Sequence, residues 1–459
     1  MRATESADWE LAQARQGSRE APRAIFVSSK APRTTTQDLG VPSAYLGIYP
    51  VYRIPAILKA QDGRLLAFAE GRQARGDSGR IDIVMKLTDD GGKTWSKERT
   101  LVSDTSYDKQ AKATSNTCGN PCPIFDELTG RIWLLWTWNL GSLVEGAFVP
   151  TSKNRDKSRL PYAIYSDDNG ETWHGKDGKI FESTSGRAWA IDLTSTCKDP
   201  SWSWFATGPG IGISTSSGEL LAPANAYSSD TDISSYVGLI LRYNRKTGIW
   251  QRGRATPAGF GTNESTLAEL NDGRILLNSR NQMDEPRCRI VHITSDYGAS
   301  WDESFYENQL PDPACQGALL RLPPPDPEKT ARLAFANLHI TRRDYDNRSG
   351  LAVRVSYDDG KTWLGAVKPR DPSKPLHTDL LGGAISPRLL EDRTAYSSLV
   401  SLGRDEFGML YEGNTLYPGG QDTGQFGVML FAQFTVSDVL RTATAAEPTE
   451  KLAAETAKK

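Results

Sequence analysis

The sequence predicts an all-β fold, a six-bladed β-propeller, from three observations. A short motif that ends in tryptophan is repeated along the chain. Alternating runs typical of strands lead into the copies, and further strand-like runs lie between them. The middle of the chain has almost no stretch of helical periodicity. Many short strands with one aromatic motif per unit indicate radial repetition rather than a sandwich of about 100 residues.

The repeated motif reads Ser/Thr-x-Asp-x-Gly-x-Thr/Ser-Trp. In each copy Asp-x-Gly reverses the chain and the Trp opens the next strand, which predicts a β-hairpin. We expect the Asp and the Trp to brace the turn and to carry no chemistry. The four clear copies, followed by one degenerate copy, are TDDGGKTW (88–95), SDDNGETW (166–173), TSDYGASW (294–301), SYDDGKTW (356–363) and YNRKTGIW (243–250).

The spacing of the copies predicts the number of blades. The clear copies start at residues 88, 166, 294 and 356, so the middle gap is wide enough for about two units. Roughly 400 residues at about 65 per unit give about six blades, within the usual four to eight.

Composition limits the function classes. The chain of 459 residues has 54 Lys+Arg, 56 Asp+Glu and 38% hydrophobic residues, which suits a folded core and excludes disorder over most of its length. The charge balance gives no basic field for nucleic acid, and no apolar run is long enough for a membrane span. We predict a polar N-terminal extension (1–22), a propeller domain (23–440) and a charged C-terminal tail (441–459).

The metal-binding residue types are sparse. Five cysteines are an odd number, so at least one is free, and the pairing of Cys118 with Cys122 stays open. The four histidines lie far apart with no metal-ligand spacing, so we expect no metal and no cofactor. The N-terminus lacks an apolar signal region, which favours either a cytoplasmic protein or one whose leader is absent from this chain.

One element resembles a known family. Tyr52-Arg53-Ile54-Pro55 stands ahead of an apolar strand that ends in Ala69-Glu70-Gly71-Arg72. The copies of the Asp-x-Gly motif described above, which we call Asp-box repeats, follow it along the chain. The combination resembles the sialidase family, the retaining exo-glycosidases that release terminal sialic acids from glycans. The resemblance covers about residues 45 to 440.

The resemblance implies three arginines that clamp the substrate carboxylate. A sialic acid carries its carboxylate on the anomeric carbon, and a planar, permanently charged guanidinium matches that group. The family's positions fall on Arg53, Arg280 and Arg348. Close alternatives to Arg348 are Arg342, Arg343 and Arg354.

A tyrosine nucleophile is implied as well. The substrate carboxylate would repel an anionic nucleophile, whereas a neutral phenol avoids this, and sialidases are known to use tyrosine. The phenol then needs a neighbouring base. Matching segments nominate Tyr396 as nucleophile, Glu264 as its base and Glu412 as the carboxylate that orients Arg53.

The remaining positions follow from the same resemblance. Asp77, on a loop with Gly76 and Gly79, is the expected general acid, and Asp82 is the runner-up. Tyr227 matches one of two aromatic positions, but Asn225 stands at the other, which puts recognition of the glycerol chain in doubt. Further expected substrate contacts are Glu70 and Arg72, near the 4-hydroxyl, together with Asn120 and Gln316.

These observations predict a retaining exo-α-sialidase that acts through a covalent tyrosyl-glycoside on sialylated glycans. Two alternatives share the clamp: a hydrolase of a related ulosonic acid, either deaminated sialic acid or an eight-carbon keto-acid, and a trans-sialidase. A third alternative is a catalytically silent propeller that binds glycans or proteins.

Overall fold

The structure is a computed structural model. It describes residues 23–29, 47–106, 116–143, 159–228, 232–327, 329–339, 348, 350–364, 394–413 and 428–440. The predicted N-terminal extension and C-terminal tail lie outside the described residues, so the predicted domain boundaries stay predictions. Arg342 and Arg343, two of the alternatives to Arg348, also lie outside them.

The described chain is built almost entirely of strands, which confirms the all-β prediction. Helical structure is limited to short segments: α1 (Thr194–Cys197), 3-10 turns at Lys176–Gly178, Ser183–Trp189 and Ile233–Ser235, and residues 436–440. The strands are β1 (Arg23–Val27), β2 (Val51–Lys59), β3 (Leu65–Arg72), β4 (Ile81–Thr88), β5 (Arg99–Val102), β6 (Thr117–Phe125), β7 (Ile132–Asn139), β8 (Leu160–Ser166), β9 (Ile191–Asp192), β10 (Trp204–Thr207), β11 (Ile213–Ser214), β12 (Leu220–Tyr227), β13 (Val237–Asn244), β14 (Ile249–Arg252), β15 (Thr262–Glu269), β16 (Ile275–Asn281), β17 (Cys288–Thr294), β18 (Glu303–Pro311), β19 (Ala318–Leu322), β20 (Arg332–Leu338), β21 (Leu351–Ser356), β22 (Ser397–Ser401), β23 (Glu406–Gly413) and β24 (Val428–Thr435).

The sheets have a propeller-like arrangement in which strands consecutive in the chain pair antiparallel. The orders are β10-β12-β13-β14 with β11 beside β12, β15-β16-β17-β18, β19-β20-β21, and β2-β3-β4-β6-β7-β8-β9 with β5 beside β4. In the last of these, β4 and β6 are joined only by the parallel pair Ile81 and Thr117. The final sheet has the order β1-β24-β23-β22, so the N-terminal strand pairs with the C-terminal one.

The repeated motif braces its turn. In the first copy Asp90 Oδ1 accepts from Thr94 N at 2.9 Å, and Trp95 Nε1 donates to Gly92 O at 3.1 Å. In the other three clear copies, the backbone N–H four positions after the Asp likewise donates to Oδ1 of Asp168, Asp296 and Asp358. These side chains order the hairpins and lie away from the cavity described below.

Apolar side chains fill the space between sheets. One cluster joins β19–β21 to β22–β24, and another joins β6–β8 to β12–β14. All five cysteines, Cys118 and Cys122 among them, are free and buried. Across the described ranges, no helix is long and apolar enough to cross a membrane.

Candidate active site

A cavity of about 420 Å³ is lined by residues of three of the sheets and by Arg348 and Tyr396, which precede β21 and β22. Two of the twelve predicted site residues, Glu412 and Gln316, lie behind the lining rather than in it. The other predicted residues line the cavity: Arg53, Glu70, Arg72, Asp77, Asn120, Tyr227, Glu264, Arg280, Arg348 and Tyr396.

β-Bulges aim several of these side chains inward. The pairing register of β2 shifts between Arg53 and Ala56, and that of β6 shifts between Gly119 and Cys122. Proline interrupts both strands at the bulge, because it cannot donate a ladder hydrogen bond there. β15 has a third shift, between Thr262 and Ser265, and Glu264 lies within it. An extra residue at a bulge bends the strand and re-aims its side chain, here toward the cavity.

Tyr396 and Glu264 are in direct contact. Tyr396 Oη donates to Glu264 Oε1 at 2.5 Å. Arg280 Nη1 donates to Glu264 Oε2 at 2.9 Å and to Tyr396 Oη at 3.2 Å. Burial raises the pKa of the Tyr396 hydroxyl well above its usual value and Glu264 raises it further, while Arg280, Arg348 and Arg53 act in the opposite direction. The phenol is therefore neutral at rest, with an acceptor already in place for its proton.

Two more guanidinium groups flank the same ring. The Cζ atoms of Arg53 and Arg348 lie 4.9 and 5.6 Å from the centroid of the Tyr396 ring. With Glu264, these residues form what we call the arginine–tyrosine cluster: Arg53, Glu264, Arg280, Arg348 and Tyr396. Three guanidinium groups face one carboxylate in it, so the cluster has an excess of positive charge and favours an anionic ligand.

Glu412 fixes one of these arginines from behind. Its carboxylate accepts from Arg53 Nε at 3.1 Å and from Arg53 Nη2 at 3.3 Å. It also accepts from Ile54 N at 2.9 Å and from Tyr396 N at 3.2 Å. One buried carboxylate thus sets the position of Arg53 relative to Tyr396.

Gln316 also acts on the backbone beside the nucleophile candidate. Its Oε1 accepts from Ser397 N at 3.0 Å, and its Nε2 donates to Ser397 O at 2.9 Å. The side chain is buried and lies behind the cavity lining. Gln316 thus binds the backbone of the residue after Tyr396, and its predicted substrate contact stays a prediction.

Asp77 lies on the loop between β3 and β4, with its side chain 48% exposed. It accepts from Arg72 Nη1 at 2.8 Å and lies 3.8 Å from Arg53 Nη1. Partial burial acts to raise the pKa of the Asp77 carboxyl, but the charges of Arg72 and Arg53 outweigh it and hold this pKa below the usual range. The runner-up Asp82 is fully buried, accepts from Tyr49 Oη at 2.6 Å and does not line the cavity.

Arg72 links the loop of Asp77 to Glu70. Its Nε donates to Glu70 Oε2 at 2.7 Å, and its Nη1 donates to Gly76 O at 3.0 Å. Glu70 Oε1 accepts in turn from Asn120 N at 2.7 Å. Both Glu70 and Arg72 line the cavity, so they can also reach a ligand hydroxyl.

Another part of the lining is what we call the aromatic cluster: Asn120, Arg159, Trp204, Asn225 and Tyr227. The Arg159 guanidinium lies 3.7 Å from the centroid of a Trp204 ring and donates to Asn120 Oδ1 at 2.7 Å. Trp204 stacks on Tyr227, with centroids 5.5 Å apart and planes 7° apart.

Sequence reasoning missed Arg159, Trp204 and the lining residue Gln282. Nothing in the local sequence marks an arginine just before a strand as part of a cavity.

The described part of the chain contains no group of three or more His, Cys, Asp or Glu side chains arranged to hold a metal ion. The side chains that line the cavity include two phenols, three carboxylates and five guanidinium groups.

Comparison with known proteins gives consistent results. The BNR repeat-like domain family matches residues 63–409. An exo-α-sialidase of Aspergillus fumigatus is 28% identical over 395 residues, which cover 85% of both chains. A sialidase of Micromonospora viridifaciens is 28% identical over 417 residues, which cover 89% of this chain but only 56% of that protein.

Among solved structures, a Hadza microbial sialidase superposes with a TM-score of 0.64 at 24% identity. The match covers 84% of this chain and 66% of that one. At this identity the structural likeness concerns the fold.

Proposed function

The chain belongs to the sialidase family, and from this premise we propose that it is a retaining exo-α-sialidase that hydrolyses terminal sialic acids from glycoconjugates. One observation carries the proposal: the 2.5 Å hydrogen bond from Tyr396 to Glu264 among the guanidinium groups of Arg53, Arg280 and Arg348. A binding protein gains nothing from a phenol held against a carboxylate, whereas a nucleophile needs that base.

The arginines hold the substrate carboxylate. A guanidinium offers paired donors in a plane that matches a carboxylate, and each bond is strengthened by charge. Because Arg53, Arg280 and Arg348 surround the Tyr396 ring, a carboxylate bound there brings the anomeric carbon toward Tyr396 Oη. This positioning makes attack intramolecular.

In the first step Tyr396 Oη forms a bond to the anomeric carbon as its proton passes to Glu264. The glycosidic carbon–oxygen bond breaks, and the leaving oxygen takes a proton from Asp77. In the second step Asp77 removes a proton from water as that water attacks the anomeric carbon. The bond to Tyr396 breaks, and its oxygen recovers the proton from Glu264. Two displacements retain the anomeric configuration.

Asp77 must carry a proton for this role. In the free protein Arg72 and Arg53 favour its ionised form. A substrate carboxylate at Arg53 brings negative charge close to Asp77 and raises the pKa of Asp77 toward the working range. Substrate binding itself thus prepares the acid.

We also propose that the fold has six blades. The strands nearest the axis contact one another in a cycle of β2, β6, β12, β15, β19, β22 and again β2. Among the described residues, the parallel pair of Ile81 and Thr117 is the sole strand pairing between the two halves of the largest sheet, which supports counting those halves as two blades.

The test is hydrolysis of the 4-methylumbelliferyl glycoside of N-acetylneuraminic acid, with product stereochemistry followed by proton NMR. We expect turnover and the α-anomer as first product. A β-anomer as first product would overturn the tyrosyl intermediate. No turnover of this or a related glycoside, combined with glycan binding, would favour the silent binding propeller. Transfer to added lactose would indicate a trans-sialidase.

Arg159 favours a second candidate, the hydrolase of a deaminated sialic acid. Its guanidinium lies over Trp204 beside Asn120, so a cation occupies a ring face that could have received a methyl group. A cation and amides suit a ligand hydroxyl better than an N-acetyl methyl group. The matched test is the ratio of kcat/KM for the 4-methylumbelliferyl glycosides of the deaminated and the N-acetylated sugar. A ratio above one selects this candidate.

A further inference from the structure

An ion pair lies buried behind the arginine–tyrosine cluster. Arg289, on β17, and Asp312, just after β18, have fully buried side chains, and Arg289 Nη1 donates to Asp312 Oδ2 at 3.1 Å. Arg289 also donates to Asn278 Oδ1 at 2.7 Å and to Cys315 O at 2.6 Å. Neither member of the pair lines the cavity.

Asp312 is bound to the backbone on either side of it. Its Oδ2 accepts from Asn281 N at 2.8 Å, and its Oδ1 accepts from Cys315 N at 3.0 Å. Asn281 directly follows Arg280, so the first bond fixes the peptide that carries the guanidinium in contact with Tyr396 and Glu264. A charged acceptor makes such bonds shorter and stronger than a neutral one.

The second bond fixes the segment 312–316, which reaches two more members of the cluster. Ala314 has a φ of 58°, which non-glycine residues seldom adopt, and its carbonyl accepts from Arg348 Nη2 at 3.1 Å. Gln316 binds Ser397, the residue after Tyr396, through two hydrogen bonds.

We propose that Arg289 and Asp312 are positioning residues that set the spacing of Arg280, Arg348 and Tyr396. The inference rests on the proposed function, because it names what aligns that site. A buried ion pair is weak evidence for stability, since well-packed apolar residues stabilise a core as well or better. The contacts of this pair run instead to β16, which carries Arg280, and to segment 312–316, which contacts Arg348 and the residue after Tyr396.

The experiment is a double-mutant cycle of Asp312→Asn and Arg280→Lys, measured as kcat/KM. Asp312→Asn alone should lower kcat/KM about 10²-fold, a typical cost of a small misplacement remote from the chemistry. If Asp312 acts through Arg280, its substitution should cost less than about 5-fold in the Arg280→Lys background. Losses that multiply in the double variant would overturn the proposal, because a merely structural residue acts independently.

The matched control is Asp126→Asn. Asp126 likewise accepts from an arginine, Arg245 at 2.7 Å, and from a backbone N–H, Leu128 at 3.1 Å, but neither side chain of the pair lines the cavity. Its kcat/KM should stay within about 2-fold of the parent, and its effect should multiply with that of Arg280→Lys.

Should Asp312→Asn fail to fold, Arg289→Lys replaces it in the cycle. Lysine keeps the charge but loses the fork that joins Asp312, Asn278 and Cys315 O. We expect about a 10-fold loss of kcat/KM, and a much smaller loss in the Arg280→Lys background. A folded Arg289→Lys variant with parental kcat/KM would contradict the positioning role.

A readout without turnover separates this inference from the proposed function. Crystal structures of the parent and of the folded variant give the distance from Arg280 Nη1 to Tyr396 Oη, 3.2 Å in the intact protein. A shift of that distance supports the positioning role even if the parent hydrolyses no sialoside. An unchanged distance overturns it even if the parent is an active sialidase.

Discussion

The arginine–tyrosine cluster and the aromatic cluster share one cavity but are held in different ways. In the first, charged side chains hold one another or are held from behind, as Glu412 holds Arg53. In the second, stacking is added to hydrogen bonds: Arg159 lies on Trp204 and Trp204 on Tyr227, while Arg159 also donates to Asn120. Hydrogen bonds to charges fix distance and direction, whereas stacking tolerates changes of size. Under the proposed function, the first cluster would carry the chemistry and the second would select the sugar.

The largest expected effect is on the nucleophile. Tyr396→Phe removes the attacking oxygen and leaves the three arginines in place, so kcat should fall by about 10³-fold or more. Binding of a non-reacting sialic acid analogue, measured by calorimetry, should change far less. Retention of near-parental kcat would show that the cluster binds the carboxylate without supplying the nucleophile.

Asp77→Ala tests the acid at the border of the two clusters. Loss of a general acid typically costs about 10² to 10⁴-fold, but only where the leaving group needs a proton. We expect that loss on sialyllactose and a much smaller one on the 4-methylumbelliferyl glycoside, whose leaving group is a weaker base. Equal losses in kcat/KM on both substrates would rule out Asp77 as the acid.

Arg159→Ala is expected to change substrate preference rather than the chemistry. It uncovers the Trp204 ring, which should shift the ratio of kcat/KM toward the N-acetylated sugar by about 10-fold, the scale of one pocket contact. Arg131→Ala is the matched control, because Arg131 lies 3.9 Å from the ring centroid of Tyr165 outside the cavity. If both variants keep the parental ratio, the aromatic cluster does not select the sugar.

The smallest effect concerns stability. Because its arginine neighbours lower the pKa of Asp77, the ionised carboxylate stabilises the fold above the unfolded pKa of about 3.9, and this contribution fades as pH falls toward the folded pKa. Asp77→Asn should therefore destabilise the protein slightly at pH 7 and less at pH 3, measured by urea unfolding. A larger loss at pH 3 would contradict this assignment of charge.

Contacts between residues close in the sequence could be predicted from it, whereas contacts between distant residues could not. The Asp-box turns were predictable because each depends on residues four positions apart, as with Asp90 and Thr94. Glu412 lies 359 positions from Arg53 and was nominated only because its flanking residues resemble a family pattern. The structure brings the two side chains into contact.

Arg159 and Asp312 were out of reach for a physical reason. Arg159 faces the cavity because Trp204, from another sheet, lies under it. Asp312, just after β18, meets the backbone at Asn281 on β16, although β17 lies between these two strands in the sheet. Neither residue has a local pattern that reports such contacts. The number of blades likewise depends on contacts between strands far apart in the sequence, so the count of six stays a proposal.

The pairing of β1 with β24 has a consequence for biosynthesis. Arg23 lies opposite Phe431, which is the pairing of highest sequence separation in that sheet. Contacts between distant segments form slowly because a long loop must be ordered first. On the ribosome, the early sheets can assemble while synthesis continues, but β1 has to wait for nearly the whole chain to emerge. Until then its unpaired edge is exposed to other chains, and a chaperone that shields β1 should raise the yield of closed protein.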